Sequence, residues 1–322
     1  MKLIKHIAGI ALAGCMAAGG AAHAAFPDRP VTIVVPYPAG GATDVIARLV
    51  AEKLPAVWKQ PVVIRNQPGA GTTVAAEALS RAAGDGYTLY MTTAAHTISA
   101  SLYKNLKYDP LKDFAPITLV STIPLVLVTT PSLPAKTLPD LIGDIKKSKE
   151  GMTIASTGNG TPQHLTGELF KSKQGLELVH IPYRGDAPMI TDLIGGQVQL
   201  AFVTLSAAVS NIQAGKLRPI ALAHATRVKA IADVPTFAEA GMPGFEAATW
   251  FGLFGPASMP QELRQKIYQD VAKIVATPEM TERLVAMGGE VNNSSPEEFQ
   301  AFIDKEARNW AEAVKISGAS VD

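Results

Sequence analysis

The sequence predicts an α/β protein built of two similar lobes. Three observations carry this expectation. Short β-branched runs alternate with helical patterns, which implies parallel strands joined by right-handed crossovers. One long apolar stretch, 117–130, interrupts the alternation, and the alternation then starts again. The chain has 322 residues, room for two medium domains, each with its own core.

In the first unit, residues 31–35 form an unbroken β-branched run, the pattern of a strand covered on both faces. Residues 44–54 follow, with Ile46, Leu49, Val50 and Leu54 on one helical face. A second strand spans 61–65. A glycine-rich loop leads to an alanine-rich helix over 73–83, and a third strand spans 88–92. Beyond the stretch 117–130, Thr137 and Asp140 resemble a capping box opening a helix to about residue 147. The second unit then reads as strand 152–156, helix 163–173, strand 176–182, helix 188–194, strand 198–204, helix 207–214 and strand 217–223. Residues 250–256 read as an extended return segment. The tail is helical over 260–276, 278–287 and 296–316. Ser295 and Glu298, with Pro296 between them, mark the start of the last helix. No long Gly/Ser or Pro-rich linker separates the units. The lobes should therefore sit close, with a cleft between them suited to a small ligand.

The first residues read as a leader. Lys2 and Lys5 precede the apolar run 7–18, and Ala22-His23-Ala24 supplies an A-x-A cleavage site. Residues 1–24 are thus expected to be a signal peptide, and the mature chain is expected in the periplasm. Leu12-Ala13-Gly14-Cys15 offers a rival lipobox, which would leave a lipoprotein anchored through Cys15. The A-x-A site is preferred because it sits just before the first strand. No later stretch reaches the roughly 18 apolar residues of a membrane span.

Composition narrows the function. Hydrophobic residues make up 47% and charged residues 18%, a globular balance. The formal charge is +1, so the chain has no basic footprint for nucleic acid or for a membrane surface. A single cysteine excludes a disulfide framework and a thiolate metal cluster.

The chemistry sits in two strand–helix loops. Tyr37, Pro38, Ala39, Gly40, Gly41, Ala42 and Thr43 join the first strand to the first helix. Glycines there let the backbone turn tightly and approach a ligand. The N–H groups of the following helix would point into the crevice, where the helix dipole adds roughly half a positive charge. That makes an anion site without Lys or Arg. Ser156, Thr157, Gly158, Asn159, Gly160, Thr161 and Pro162 repeat the arrangement in the second unit. Two facing loops would clamp a carboxylate, and a β-branched residue at Gly40 or Gly160 is expected to abolish the clamp. The glycine-rich loop 66–71 is not assigned to it. The competing reading is that each loop is only a tight turn. Neither loop fits a dinucleotide or P-loop fingerprint, and no cofactor is expected.

With these motifs the chain resembles the substrate-binding receptors of tripartite tricarboxylate transporters, the Bug or TctC family. The likeness covers nearly the whole mature chain. It is carried by the segments 34–44 and 66–71, by Gly158-Asn159-Gly160-Thr161-Pro162-Gln163-His164-Leu165, and by Pro182-Tyr183-Arg184-Gly185-Asp186-Ala187-Pro188. The segments 192–198 and 233–236 complete it. Many relatives carry an aspartate where this chain has Gln199. The resemblance implies a type II periplasmic-binding-protein fold. Residues 25–125 and 247–322 would form lobe 1, and residues 126–246 lobe 2. It also implies an extracytoplasmic receptor that closes on a small organic carboxylate and delivers it to integral-membrane transporter subunits, with the receptor a monomer. A ligand-presenting sensor for a membrane kinase fits the same sequence. A secreted α/β hydrolase is a weaker alternative, because no Gly-x-Ser-x-Gly elbow is present.

Single residues can be weighed in the same way. Arg184 could pair with a distal carboxylate or be a surface arginine at a helix start. His96 and His164 could face the cleft, as could Thr204. None of the mature histidines is paired at i, i+3 or i+4, so no metal site is expected. Asp44 complements the dipole of its own helix. Trp250 either flanks a ligand or packs in the core.

Overall fold

In a computed structural model, the structure describes residues 26–149, 151–317, 319 and 321. The leader and Cys15 lie outside the described residues.

The first unit runs β1 (Val31–Val35), α1 (Ala42–Trp58), β2 (Val62–Asn66), α2 (Thr73–Ser80), β3 (Thr88–Thr92) and α3 (Ala95–Leu102). The strand β1 pairs in parallel with β2 on one side and β3 on the other. Burial of Val31, Ile33, Val34 and Val35 explains the unbroken apolar run. On α1 the stripe Ile46, Leu49, Val50 and Leu54 is buried as its spacing requires. Two features differ from expectation. The loop before α2 tightens into a 3₁₀ turn, Ala70–Thr72, and α2 ends at Ser80, earlier than expected. The helix α3 was not foreseen, because its Thr, Ile and Ser residues are weak helix formers held here by packing.

The long apolar stretch is one strand, β4 (Phe114–Thr129). The second unit follows: α4 (Leu138–Lys147), β5 (Met152–Ser156), α5 (Pro162–Gln174), β6 (Leu178–Pro182), α6 (Asp186–Ile194), β7 (Leu200–Thr204), α7 (Leu205–Gln213) and β8 (Arg218–Leu222). The chain returns through β9 (Ala248–Pro256). It ends in α8 (Gln261–Val275), α9 (Pro278–Ala286), a two-residue β10 (Glu290–Val291) and α10 (Pro296–Ser317).

The strand order is β2-β1-β3-β9-β4-β7-β5-β6, with β8 and β10 also pairing β4. Within this order β1–β3 and β5–β7 are parallel groups. The strands between them run antiparallel. Up to Pro124, β4 pairs with β9; from Leu125 it pairs with β7 and β8. One strand therefore belongs to both halves of the molecule.

Helix starts were the most legible local feature. Asp140 N–H donates to Thr137 Oγ1 at 3.3 Å. Glu298 N–H donates to Ser295 Oγ at 3.2 Å, and Ser295 N–H returns a bond to Glu298 Oε2 at 2.8 Å. Gln199 serves the sheet: its Oε1 accepts from Thr153 N–H and Thr153 Oγ1, each at 2.8 Å.

Candidate ligand cleft

The first loop leaves β1 and enters α1 through Gly41, an extended residue. Asp44 caps this entrance. Its Oδ2 accepts from Gly40 N–H at 2.9 Å and from Arg48 Nε at 2.9 Å, and Asn66 Nδ2 donates to its Oδ1 at 2.9 Å. Burial works against the charge, but these donors win and hold the Asp44 carboxyl below its ordinary range. Asp44 thus serves its own helix. Tyr37 is buried, with its Oη 3.0 Å from Thr93 Oγ1.

The second loop leaves β5 and enters α5 through Thr161, whose Oγ1 accepts from His164 N–H at 3.4 Å. Gly158 N–H donates to Ser156 Oγ at 3.2 Å, and Gly160 N–H donates to His164 Nδ1 at 3.2 Å. The His164 ring stacks on His180, with centroids 4.1 Å apart, and His180 Nε2 lies 2.7 Å from Ser156 Oγ. Burial pulls both imidazoles down to about 4, so both are neutral at pH 7 and free to accept. Thr157 Oγ1 donates to Gln163 Oε1 at 3.0 Å, and Gln163 Nε2 donates to Thr204 Oγ1 at 2.9 Å. This chain of hydroxyl and amide ties the loop to α5 and to the end of β7.

The two halves touch across the cleft. Ala42 N–H, in the first turn of α1, donates to Asp186 Oδ2 at 3.2 Å. Asp186 opens α6 on the other half and is 8% exposed. Gly41 permits the approach, since a Cβ there would lie 3.3 Å from the same oxygen. Tyr103, just after α3, places its Oη 3.2 Å from Ala70 O and 3.5 Å from Asn159 O. Between these contacts lies a cavity of about 50 Å³. Tyr37 and the 3₁₀ turn Ala70–Thr72 line it from one half, and Thr157, Gly158, Tyr183 and Arg184 from the other. Arg184 is exposed and makes no hydrogen bond or salt bridge with the described residues.

The structure brings Tyr37, Thr157, Gly158 and Arg184 to the cavity wall. It places Gly41, Ala42, Asn159 and Gly160 in the contacts beside it, and Thr43, Thr161, His164 and Thr204 in the layer behind. Ala39 and Gly40 form an exposed tip.

Three expectations are corrected. His96 is 1% exposed and packs against Phe114 and Phe254, with centroids at 4.4 and 4.9 Å, so it belongs to the core. The loop 66–71, which its sequence does not assign to the clamp, lines the cavity through Gly69, Ala70 and Gly71. The loop N–H groups of Gly40, Ala42, Gly158 and Gly160 were expected to await an anion. They bond to Asp44, Asp186, Ser156 and His164 instead; Ala42, Gly158 and Gly160 are buried donors that need partners, and Gly40 at the exposed tip serves the Asp44 cap. Trp250 does not flank the cleft: it is 2% exposed and packs among Phe254, Phe299 and Phe302. Sequence reasoning missed Thr93, Tyr103 and the function of Asp186, whose partner lies 144 positions away.

Comparison with known proteins matches this architecture. A family profile described as the tripartite tricarboxylate transporter family receptor matches residues 46–318. The periplasmic binding protein BugD is 34% identical, with a TM-score of 0.88 over 92% of this chain and 99% of its own. A protein from R. palustris solved with adipate is 34% identical, with a TM-score of 0.89 over 92% and 99%. MatC from Rhodopseudomonas palustris, solved with bound malate, is 30% identical, with a TM-score of 0.86 over 90% and 100%.

Proposed function

Because this chain belongs to the tripartite tricarboxylate transporter receptor family, we propose that it is an extracytoplasmic receptor that closes on a small organic dicarboxylate and delivers it to integral-membrane transporter subunits. The observation that carries the reading is the set of contacts across the cleft, from Ala42 to Asp186 and from Tyr103 to Asn159, around a cavity with Arg184 on its wall. About 50 Å³ admits roughly one carboxyl group. A longer ligand parts the halves further, and its capture is then lobe closure. Residues 25–125 with 247–322 form lobe 1, and residues 126–246 form lobe 2. The change of β4 partners between Pro124 and Leu125 supports that division. Adipate and malate, held by two similar proteins, favour a dicarboxylate. The receptor acts as a monomer.

A melting-curve screen of mono-, di- and tricarboxylates tests the reading. A ligand at 100 times its Kd adds about 2.7 kcal/mol of stability. A screen in which no carboxylate raises Tm overturns it.

Arg184 gives the second arm of the test. Its planar fork fits the distal carboxylate of a diacid. Arg184→Ala is expected to weaken a dicarboxylate by about 1.5–3 kcal/mol and a matched monocarboxylate much less, as measured by calorimetry. Unchanged affinity of the variant for both ligands would assign Arg184 to the surface, and equal losses for both would place it on the shared carboxylate instead of a distal one.

Export follows from the leader. Mass spectrometry of the protein from its native envelope is expected to find an N-terminus at Ala25. A diacylglyceryl group on Cys15 would reverse that expectation and make the receptor a lipoprotein.

A further inference from the structure

A cavity of about 430 Å³ lies away from the cleft, between α5, α10 and the segment that enters β9. Its size falls within the range of small-molecule sites, roughly 300–1,000 Å³. Trp250, Phe302 and Trp310 give it aromatic walls. Glu306 stands among them, and its Oε2 accepts from Trp250 Nε1 at 3.0 Å and from Trp310 Nε1 at 2.9 Å. Burial raises the Glu306 carboxyl above its ordinary value against the pull of both indoles. The lining also holds Thr249, which is 2% exposed and whose Oγ1 has no hydrogen-bond partner among the described residues. Glu246 and Lys173 complete the charged lining, both on exposed residues.

The geometry points to a second binding site here, one that takes a primary alkylammonium cation. The argument is chemical complementarity. Two carboxylates against one ammonium leave the lining net negative, which excludes a second anion site. Aromatic walls attract a cation through their π faces and take an alkyl body by burial. Glu306 is half-buried, and Lys305 only partly offsets the burial that raises it; a cation seated on it lowers the remaining cost. Glu306 already has two neutral donors on one oxygen, so it is oriented before a ligand arrives. The buried Thr249 hydroxyl offers a further acceptor that no described residue uses. Thr122 of β4 and Ala248 of β9 line the same cavity, so the site rests on the two strands that join the halves. This site is independent of the carboxylate reading of the cleft.

Tryptophan fluorescence tests it directly. Trp250 and Trp310 line the cavity, while Trp58 donates to Asp270 elsewhere at 2.9 Å. Hexylammonium chloride and hexan-1-ol are titrated into the full chain at pH 7.5 and constant ionic strength. The expected result is a saturable change with hexylammonium, about tenfold tighter than with hexanol. Glu306→Gln keeps an oxygen for both indoles and is expected to erase the difference between the two ligands. Lys173→Glu, on an exposed residue, is expected to tighten hexylammonium and leave hexanol unchanged, and it decides the matter if the first variant fails to fold. No saturable response in the wild type, equal affinities for the two ligands, or a preference that survives Glu306→Gln overturns the proposal.

Discussion

Gly160→Val is expected to leave a folded protein that closes much less readily on a carboxylate. Gly160 sits at φ +74, and a Cβ there would lie 2.7 Å from Leu102 Cδ2 and 3.4 Å from Tyr103 Cε2. Both neighbours belong to the opposite half of the cleft. A side chain at this position is therefore a wedge between the halves, and its clash exists only when they meet. The backbone strain of a non-glycine residue at positive φ costs about 1–3 kcal/mol, but it weighs on the open and closed forms alike. The wedge adds an overpacking cost of about 1–3 kcal/mol to the closed form alone, and valine is larger than the single carbon that already overlaps. At about 1.4 kcal/mol per tenfold, affinity should fall roughly 5- to 150-fold. Gly40→Val is the contrast. Gly40 has φ +86, but a Cβ there meets nothing within 4 Å, so it brings strain without a wedge and affinity should stay near that of the wild type. This differs from the equal sensitivity that the two loops' similar sequences imply. Calorimetry with malate, adipate or the carboxylate returned by the melting screen gives the affinities. Small-angle scattering with and without that ligand shows closure. Near-native affinity in folded Gly160→Val would remove the contact from the binding mechanism.

That contrast marks where the sequence was readable. The strands β1, β3 and β5 match their expected bounds: β1 is a continuous β-branched run, and β3 and β5 are short runs bounded by Gly, Ser or Thr. The caps at Thr137 and Ser295 were legible because a capping box acts within four residues. The two loops were legible through glycine, hydroxyl and proline at strand ends. Distance across the fold was not. Residues 66–71 read as a turn, and nothing local announces that Gly71 lies against Tyr103 and Asn159. The His164–His180 stack joins positions 16 apart through the pairing of β5 with β6. The helix α3 was missed because packing, not propensity, makes it helical. His96 was read by its place after a strand, whereas its environment is set by Phe114 and Phe254 from two other strands.

Asp186 was also part of a recognised motif, but its charge matters only across the cleft. Asp186→Asn is expected to stabilise the closed protein at pH 7.5 and to flatten its response to acid. Burial pushes the Asp186 carboxyl up to about 6 from an ordinary 3.8; the Ala42 N–H and its own backbone N–H pull it down, and burial wins. The α1 dipole is worth about 0.3–1 kcal/mol to an anion, too little to offset this. Oδ1 has no hydrogen-bond partner among the described residues, and the nearby Tyr37 phenol, raised by its own burial, stays neutral. The sign follows from the proton count. With the halves apart or the chain unfolded, Asp186 is solvated and loses its proton near 3.8. In the closed form it holds the proton up to about 6. Closure therefore gains as pH falls from about 6 toward 4, and above 6 the ionised carboxylate opposes it. The shift of roughly two units sets an upper bound of about 3 kcal/mol. Asparagine keeps a carbonyl oxygen for Ala42 N–H and carries no charge. Its Tm at pH 7.5 should exceed that of the wild type, and the rise of wild-type stability between pH 6 and 4 should be weakened in the variant. A dianionic ligand should bind the variant about tenfold or more tightly at pH 7.5, because one like charge has left the cleft. The ratio of the two affinities should fall as pH drops below about 6 and approach one only near the ordinary carboxyl value of 3.8, and the ligand's own ionisation cancels in that ratio. Equal Tm at pH 7.5, with the same slope toward acid, would show that Asp186 is solvated in the protein and that its contact with Ala42 does not govern closure.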